Sequence, residues 1–231
     1  MSEHITLEAV DVDGAIRETA EDAGASRAEF LKKGGAGFLA GGVLFSGLIS
    51  PAEAAIATRK RSKKNDVKIA NYALTLEYLE AEFYKQAVAG GAIVQPDIRH
   101  FANVVGAHEA AHVKALREVL GSKAVKKPTF DFGDAITNQD KFQTTAQVLE
   151  DTGVAAYAGQ GPNLLQRPLV KAALSIHSVE ARHAAWIRYI NSGGGRGSGK
   201  AAEFPAPRAF DRALSEKKVL AAVTATGFIK G

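Results

Sequence analysis

The chain has 231 residues, 46% of them hydrophobic, with few aromatics and a single Trp, enough for one domain with a substantial core. It contains no cysteine, which excludes disulfides, thiolate metal sites and cysteine nucleophiles, so any bound metal must rest on oxygen and nitrogen ligands. The net charge of +4 conceals a division: residues 1–54 carry nine acidic and four basic side chains, which leaves the rest of the chain strongly basic.

In chain order, the first element reads as an address. Residues 34–50 are apolar and Gly-rich, follow Arg27, Lys32 and Lys33, and lead into Pro51-Ala52-Glu53-Ala54, a small-x-small site with cleavage expected after Ala54. A basic start, a short apolar run and an A-x-A ending make a secretory signal, and a run broken by glycines is marginal as a spanning helix. Within it, Ser26-Arg27-Ala28-Glu29-Phe30-Leu31-Lys32 resembles the twin-arginine export motif, with Ala28 in place of the second arginine. Residues 1–54 are therefore expected to direct export to the periplasm or beyond, or to anchor the chain in the membrane if uncleaved. The basic run Arg59, Lys60, Arg61, Lys63 and Lys64 falls in an expected linker over 55–65. It would hinder threading through the general secretion channel, which favours a route for folded proteins. No recognition motif accompanies it, so it reads as a solvated segment, with nucleic acid not an expected partner.

Four long helices follow. Apolar or small residues at Ile69, Ala73, Leu76, Phe83 and Ala87 recur at three and four and predict a helix over 66–89, capped by Asn65 or Asp66 and ended by Gly90-Gly91. A second runs from near Pro96 to Leu120 with Gly121 as its stop. A third spans about 138–160 before Gly161-Pro162, and a fourth about 167–191 before Gly193-Gly194-Gly195. Short loops after the first and third make antiparallel hairpins. Between helices two and three, residues 121–137 are too many for a hairpin turn and must form a crossover. Residues 192–208 read as a Gly-, Ser- and Pro-rich linker, and 215–223 as a short terminal helix packed outside the bundle.

On these helices one pattern occurs twice. Glu77 is followed by Tyr84, and Glu109 by His112; Glu150 is then followed by Tyr157, and Glu180 by His183. The copies are offset by 73 residues for the Glu/Tyr pairs and 71 for the Glu/His pairs. Residues three apart share a helix face, so Glu109 and His112 can present an oxygen and a nitrogen to one ion, as can Glu180 and His183. Glu77 and Glu150 add a carboxylate from each neighbouring helix. Four carboxylates in a dry core would be very costly without compensation, and two divalent cations bring equal and opposite charge. Tyr84 and Tyr157, two turns from their glutamates on the same face, are expected either to bond a ligand on a neighbouring helix or to serve as core aromatics. Glu80 lies three residues from Glu77, but its repeat partner is Gly153; an outer-sphere or surface place is expected, with an extra bridging ligand as the alternative. Asp151 should point away from Glu150, and His177 should be a helix-face residue.

The stretches Leu76-Glu77-Tyr78-Leu79-Glu80-Ala81-Glu82-Phe83-Tyr84, His108-Glu109-Ala110-Ala111-His112 and Glu180-Ala181-Arg182-His183 resemble the ferritin-like superfamily. The resemblance covers about residues 66–191 and is nearest to the branch of bacterial ferritin-like and plant desiccation-related proteins. It implies an all-α, ferritin-like four-helix bundle with one long crossover between helices two and three, plus the short C-terminal helix. It also implies Glu77, Glu109, His112, Glu150, Glu180 and His183 as ligands of two iron ions, with manganese or a mixed pair as alternatives. Superfamily members oxidise ferrous iron, reduce peroxide or activate dioxygen. Without the cysteine domain of rubrerythrin, an electron donor would be external; a second copy of the chain, in a homo-oligomer, is a further candidate partner.

Two other readings compete. His108-Glu109-Ala110-Ala111-His112 is a literal H-E-x-x-H, the helix motif of zinc proteases, with His108 and His112 on zinc and Glu109 as base. The second copy has Val179 where this needs a histidine, and no third ligand stands in a recognisable downstream context. The other reading is an exported structural bundle, protective in desiccation, whose metal is inert.

Overall fold

The computed structural model describes residues 61–194 and 204–230. The leader expected over 1–54, and most of the linkers expected over 55–65 and 192–208, lie outside the described residues. Four long helices dominate: α1 (Lys63–Ala89), α2 (Pro96–Leu120), α3 (Gln139–Gln160) and α4 (Arg167–Asn191). The fold is an all-α ferritin-like bundle in which α1 packs most extensively on α2 and α3 on α4, each pair an antiparallel hairpin. No helix among the described residues is long and apolar enough to cross a membrane.

α1 begins three residues before the expected start, because Ser62 is its cap: the hydroxyl accepts from the Asn65 amide at 3.1 Å. Asp66, expected to cap this helix, does something else. Its fully buried carboxylate accepts from the backbone N–H groups of Leu165 and Gln166, both at 2.9 Å, just before α4 begins. It thereby ties the start of the first hairpin to the turn of the second and satisfies amides that no helix partner serves. Replacing Asp66 with Ala removes the acceptor from two part-buried donors and should lower stability by about 1–2 kcal/mol, read by denaturant unfolding; Asp66→Asn, which keeps one acceptor, should recover part of it.

The crossover is more ordered than a linker. Its start is held by Asn71 of α1, whose amide donates to Lys123 O and accepts from Val125 N, both at 2.9 Å. Two 3₁₀ turns, Gly121–Lys123 and Gly133–Ile136, flank a two-residue strand β1 (Thr129–Phe130). β1 pairs antiparallel with β2 (Ile229–Lys230), in the register Thr129 with Lys230 and Phe130 with Ile229. Phe132 is buried beside Phe83 and Phe228 in edge-on contacts. At the far end, Gln139 Oε1 accepts from Val94 and Gln95 N–H, which closes the start of α2 onto the start of α3.

The terminal helix, α5, spans Glu216–Thr226 with Ser215 as its cap, ending three residues beyond the expected Val223. It lies on α3 and buries Val219 and Val223. A glycine makes the approach possible: a Cβ on Gly159 would meet Leu214 O at 1.9 Å. Inside the first hairpin, a Cβ on Gly106 would meet Tyr84 Cβ at 2.9 Å, so the glycine lets α1 and α2 approach closely beside that tyrosine.

Candidate metal centre

The repeated residues converge near the middle of the bundle. Glu77, Glu109, Glu150 and Glu180 are each at most 1% exposed, and His183 is 2% exposed. They form two overlapping groups with ligand atoms within 4.8 Å of one another: Glu77, Glu109, His112 and Glu180, and Glu109, Glu150, Glu180 and His183. Glu109 and Glu180 belong to both. His112 Nδ1 faces Glu77 at 3.2 Å, Glu109 at 3.2 Å and Glu180 Oε1 at 3.1 Å. His183 Nδ1 faces Glu109 at 3.0 Å, Glu150 at 3.2 Å and Glu180 Oε2 at 4.0 Å. The two shared carboxylates thus offer one oxygen to each imidazole, in an approximate two-fold arrangement relating α1 to α3 and α2 to α4.

The tyrosines follow the same symmetry. Tyr84 of α1 donates to Glu150 Oε1 on α3, and Tyr157 of α3 donates to Glu77 Oε1 on α1. Each phenol therefore orients the carboxylate belonging to the other hairpin. Burial first, and then the adjacent carboxylate, holds both hydroxyls far above the ordinary tyrosine range, so they act as donors. Tyr84 sits in an aromatic layer with Phe83, Phe101 and Phe142.

Burial, and then like charge from Glu77, raises Glu109 well above the carboxylate range; burial, Glu109 and Glu77 do the same to Glu180. Burial also acts upward on Glu77, but hydrogen bonds from His112, Glu109 and Tyr157 leave it lowered. Burial alone would lower His112, yet Glu109, Glu180 and Glu77 push it up to about 12. Without an ion, protons do the compensating. Even so, Glu109 Oε1, Glu150 Oε2, both Glu180 oxygens and His183 Nδ1 have no hydrogen-bond partner. Buried polar atoms are seldom left so, and these five cluster in the two groups; Tyr72 Oη and His177 Nδ1 are the others among the described residues. Four carboxylates and two imidazoles fit a divalent metal cation.

A family model described as the ferritin-like domain matches residues 65–192, more than half of the chain. The chain belongs to the ferritin-like family. Among curated proteins none matches it.

Around the centre of this ferritin-like protein, Glu80 and His108 take places that the sequence reading left open. Glu80 is 3% exposed and far from the surface. Burial, then Glu180 and Glu150, raises it well above the carboxylate range. His108 does not join His112 on a common ion: neither group contains it, and its Nδ1 instead lies 2.9 Å from His183 Nε2. The zinc-protease arrangement is therefore not assembled among the described residues. Sequence reasoning missed His108 as the outer neighbour of a candidate ligand; its place one residue before Glu109, without a repeat counterpart, was the available signal. Asp151 points away as expected and pairs with Arg188 of α4. His177 is in neither group.

Proposed function

We propose that this protein would hold two iron ions, or manganese in their place, with Glu109 and Glu180 available to both, and oxidise ferrous iron with dioxygen or peroxide as the electron acceptor. The observation that carries the reading is the sharing of Glu109 and Glu180 between the two ligand groups, with unpartnered buried atoms on Glu109, Glu150, Glu180 and His183 concentrated there. Four carboxylates balance two divalent cations, and the bundle provides the water-poor surroundings in which such a balance matters. Glu77 with His112 would complete one ion's ligands, and Glu150 with His183 the other's. Such a pair, once bound, supplies two electrons at adjacent centres. Tyr84 and Tyr157 hold the outer carboxylates in place, and the buried phenols keep bulk water from their outer oxygens. With no cysteine in the sequence, any return of electrons comes from an external donor.

In this reading residues 1–54 are an export leader of twin-arginine type, the protein works outside the cytoplasm, and its role is protection against oxidative or drying stress. Protein purified without added metal should contain about two equivalents of iron or manganese. Ferrous protein exposed to air or peroxide should become ferric faster than ferrous iron in the same buffer, and Glu77→Ala or Glu150→Ala should stop this. No metal after reconstitution would sink the site. Bound iron that is inert to both oxidants would leave a metal-braced structural bundle instead.

A further inference from the structure

The two-fold arrangement is broken in two places, and both breaks favour the same side. The first is at Glu80, whose repeat partner, 73 residues on, is Gly153. A Cβ on Gly153 would lie 3.0 Å from Glu180 Oε2 and 3.4 Å from Glu80 Oε1. The missing side chain leaves the space that these two oxygens share. Glu180 Oε2 is the oxygen turned toward His183, and the like charges that act most strongly on Glu80 are Glu180 and then Glu150. Glu80 therefore approaches the group of Glu109, Glu150, Glu180 and His183. Among the described residues no repeat counterpart of Glu80 approaches the other group, because position 153 is glycine.

The second break is at His108, whose repeat partner, 71 residues on, is Val179. His183 turns Nδ1 to the carboxylates and Nε2 to His108 Nδ1 at 2.9 Å. An ion on Nδ1 requires the ring proton on Nε2, where His183 donates it to His108. That bond fixes both the tautomer and the ring plane. His112 has no such partner on its outer nitrogen among the described residues, and a valine at 179 has no polar atom to supply one.

We infer that the two ion positions are inequivalent: the position of Glu109, Glu150, Glu180 and His183 fills first and more tightly, with Glu80 as its additional carboxylate and His108 as the residue that positions His183. The inference rests on the two-ion reading above. It makes the position of Glu77 and His112 the exchangeable one, suited to an ion that arrives and leaves.

The test is a titration of Co²⁺ into metal-free protein, followed by calorimetry and visible absorption. Two steps should appear, separated by about 10–100-fold in affinity, the range an outer-sphere partner commands. With one equivalent of cobalt, anomalous scattering from crystals should fall on the His183 side; this measurement needs no variant. Glu80→Gln and His108→Val should each weaken the tighter step and leave the weaker one alone, and together they should merge the two. His108→Asn, whose amide oxygen can accept from His183 Nε2, should restore the tighter step. Two equal steps in the unaltered protein, or cobalt divided evenly at one equivalent, would overturn the inference and leave the two-ion reading standing. Failure to bind two equivalents at all would instead overturn that reading, and the inference with it.

Discussion

Loading the metal-free protein with ferrous iron or manganese should raise its melting temperature by roughly 10–20 °C. The estimate follows from linkage: an ion at about 100 times its Kd stabilises the folded state by about 2.7 kcal/mol. Two ions double this, and a domain of this size gains about 2–4 °C per kcal/mol. The pH dependence carries more information than the shift itself. Glu109 and Glu180 are raised in the folded, metal-free state by burial and then by like charge. Their contribution is fully present below the unfolded carboxylate value, about 4.3, and is lost as pH rises through their folded values. His112, pushed up to about 12 by its three carboxylate neighbours against the opposing effect of burial, behaves in the same sense. Its contribution is present below about 6.5 and is lost as pH rises toward 12. Glu77 is lowered and runs the other way, contributing above the carboxylate range and losing that as pH falls through its folded value. The raised groups outnumber the lowered one, so the metal-free bundle should weaken as pH rises above the unfolded carboxylate value, while ion binding, which must displace those protons, should strengthen. Loading in weak buffer should release several protons, read with an indicator dye. A melting temperature unmoved by metal, or loading without proton release, would remove the basis for the site.

Removing a shared carboxylate should cost more ions than removing an outer one. Glu180 presents Oε1 to His112 and Oε2 to His183, and neither oxygen has a hydrogen-bond partner. Glu180→Gln therefore withdraws a ligand from both positions and should abolish binding of the pair, beyond the ~10–100-fold that loss of an outer-sphere partner costs. Glu77→Gln withdraws a ligand from one position only, leaving about one equivalent bound at the other. The metal-free protein should respond in the opposite sense. A neutral amide at 180 resembles the protonated acid, so Glu180→Gln should flatten the loss of stability with rising pH. Metal analysis beside a melting curve at several pH values checks both halves at once. Equal stoichiometry in the two variants would show that Glu180 is not shared.

The repetition of Glu/Tyr and Glu/His made the centre legible before any coordinates, because helical spacing alone places such residues on one face. Four helices and one crossover were readable for the same reason: apolar periodicity and Gly or Pro stops are local signals. What was hidden depended on distant parts of the chain. Asp66 looks like a helix cap in sequence, yet its carboxylate serves amides about a hundred residues away, and Ser62 does the capping. The pairing of Thr129–Phe130 with Ile229–Lys230 involves strands too short to show alternation. His108 sits in a motif with a well-known zinc meaning, and only the third dimension turns it toward His183. Glu80 was ambiguous because a residue three positions from a ligand can share its face or lie at its edge; Gly153 opposite provides the room that keeps it inside.

The pairing of β1 with β2 also sets an order of events during synthesis. Thr129 and Lys230 are 101 residues apart in sequence, so the crossover cannot be clamped until the segment after α5 has emerged. At ~5–20 residues per second that is a delay of about 5–20 s after β1 itself appears. Each helical hairpin, built from neighbouring residues, can form within that interval, and so can their meeting across the ligand groups. Throughout it the hydrophobic ring of Phe132 waits for Phe228. Residues 228–230 are thus the ones that latch the crossover, long after the hairpins they close over have been made.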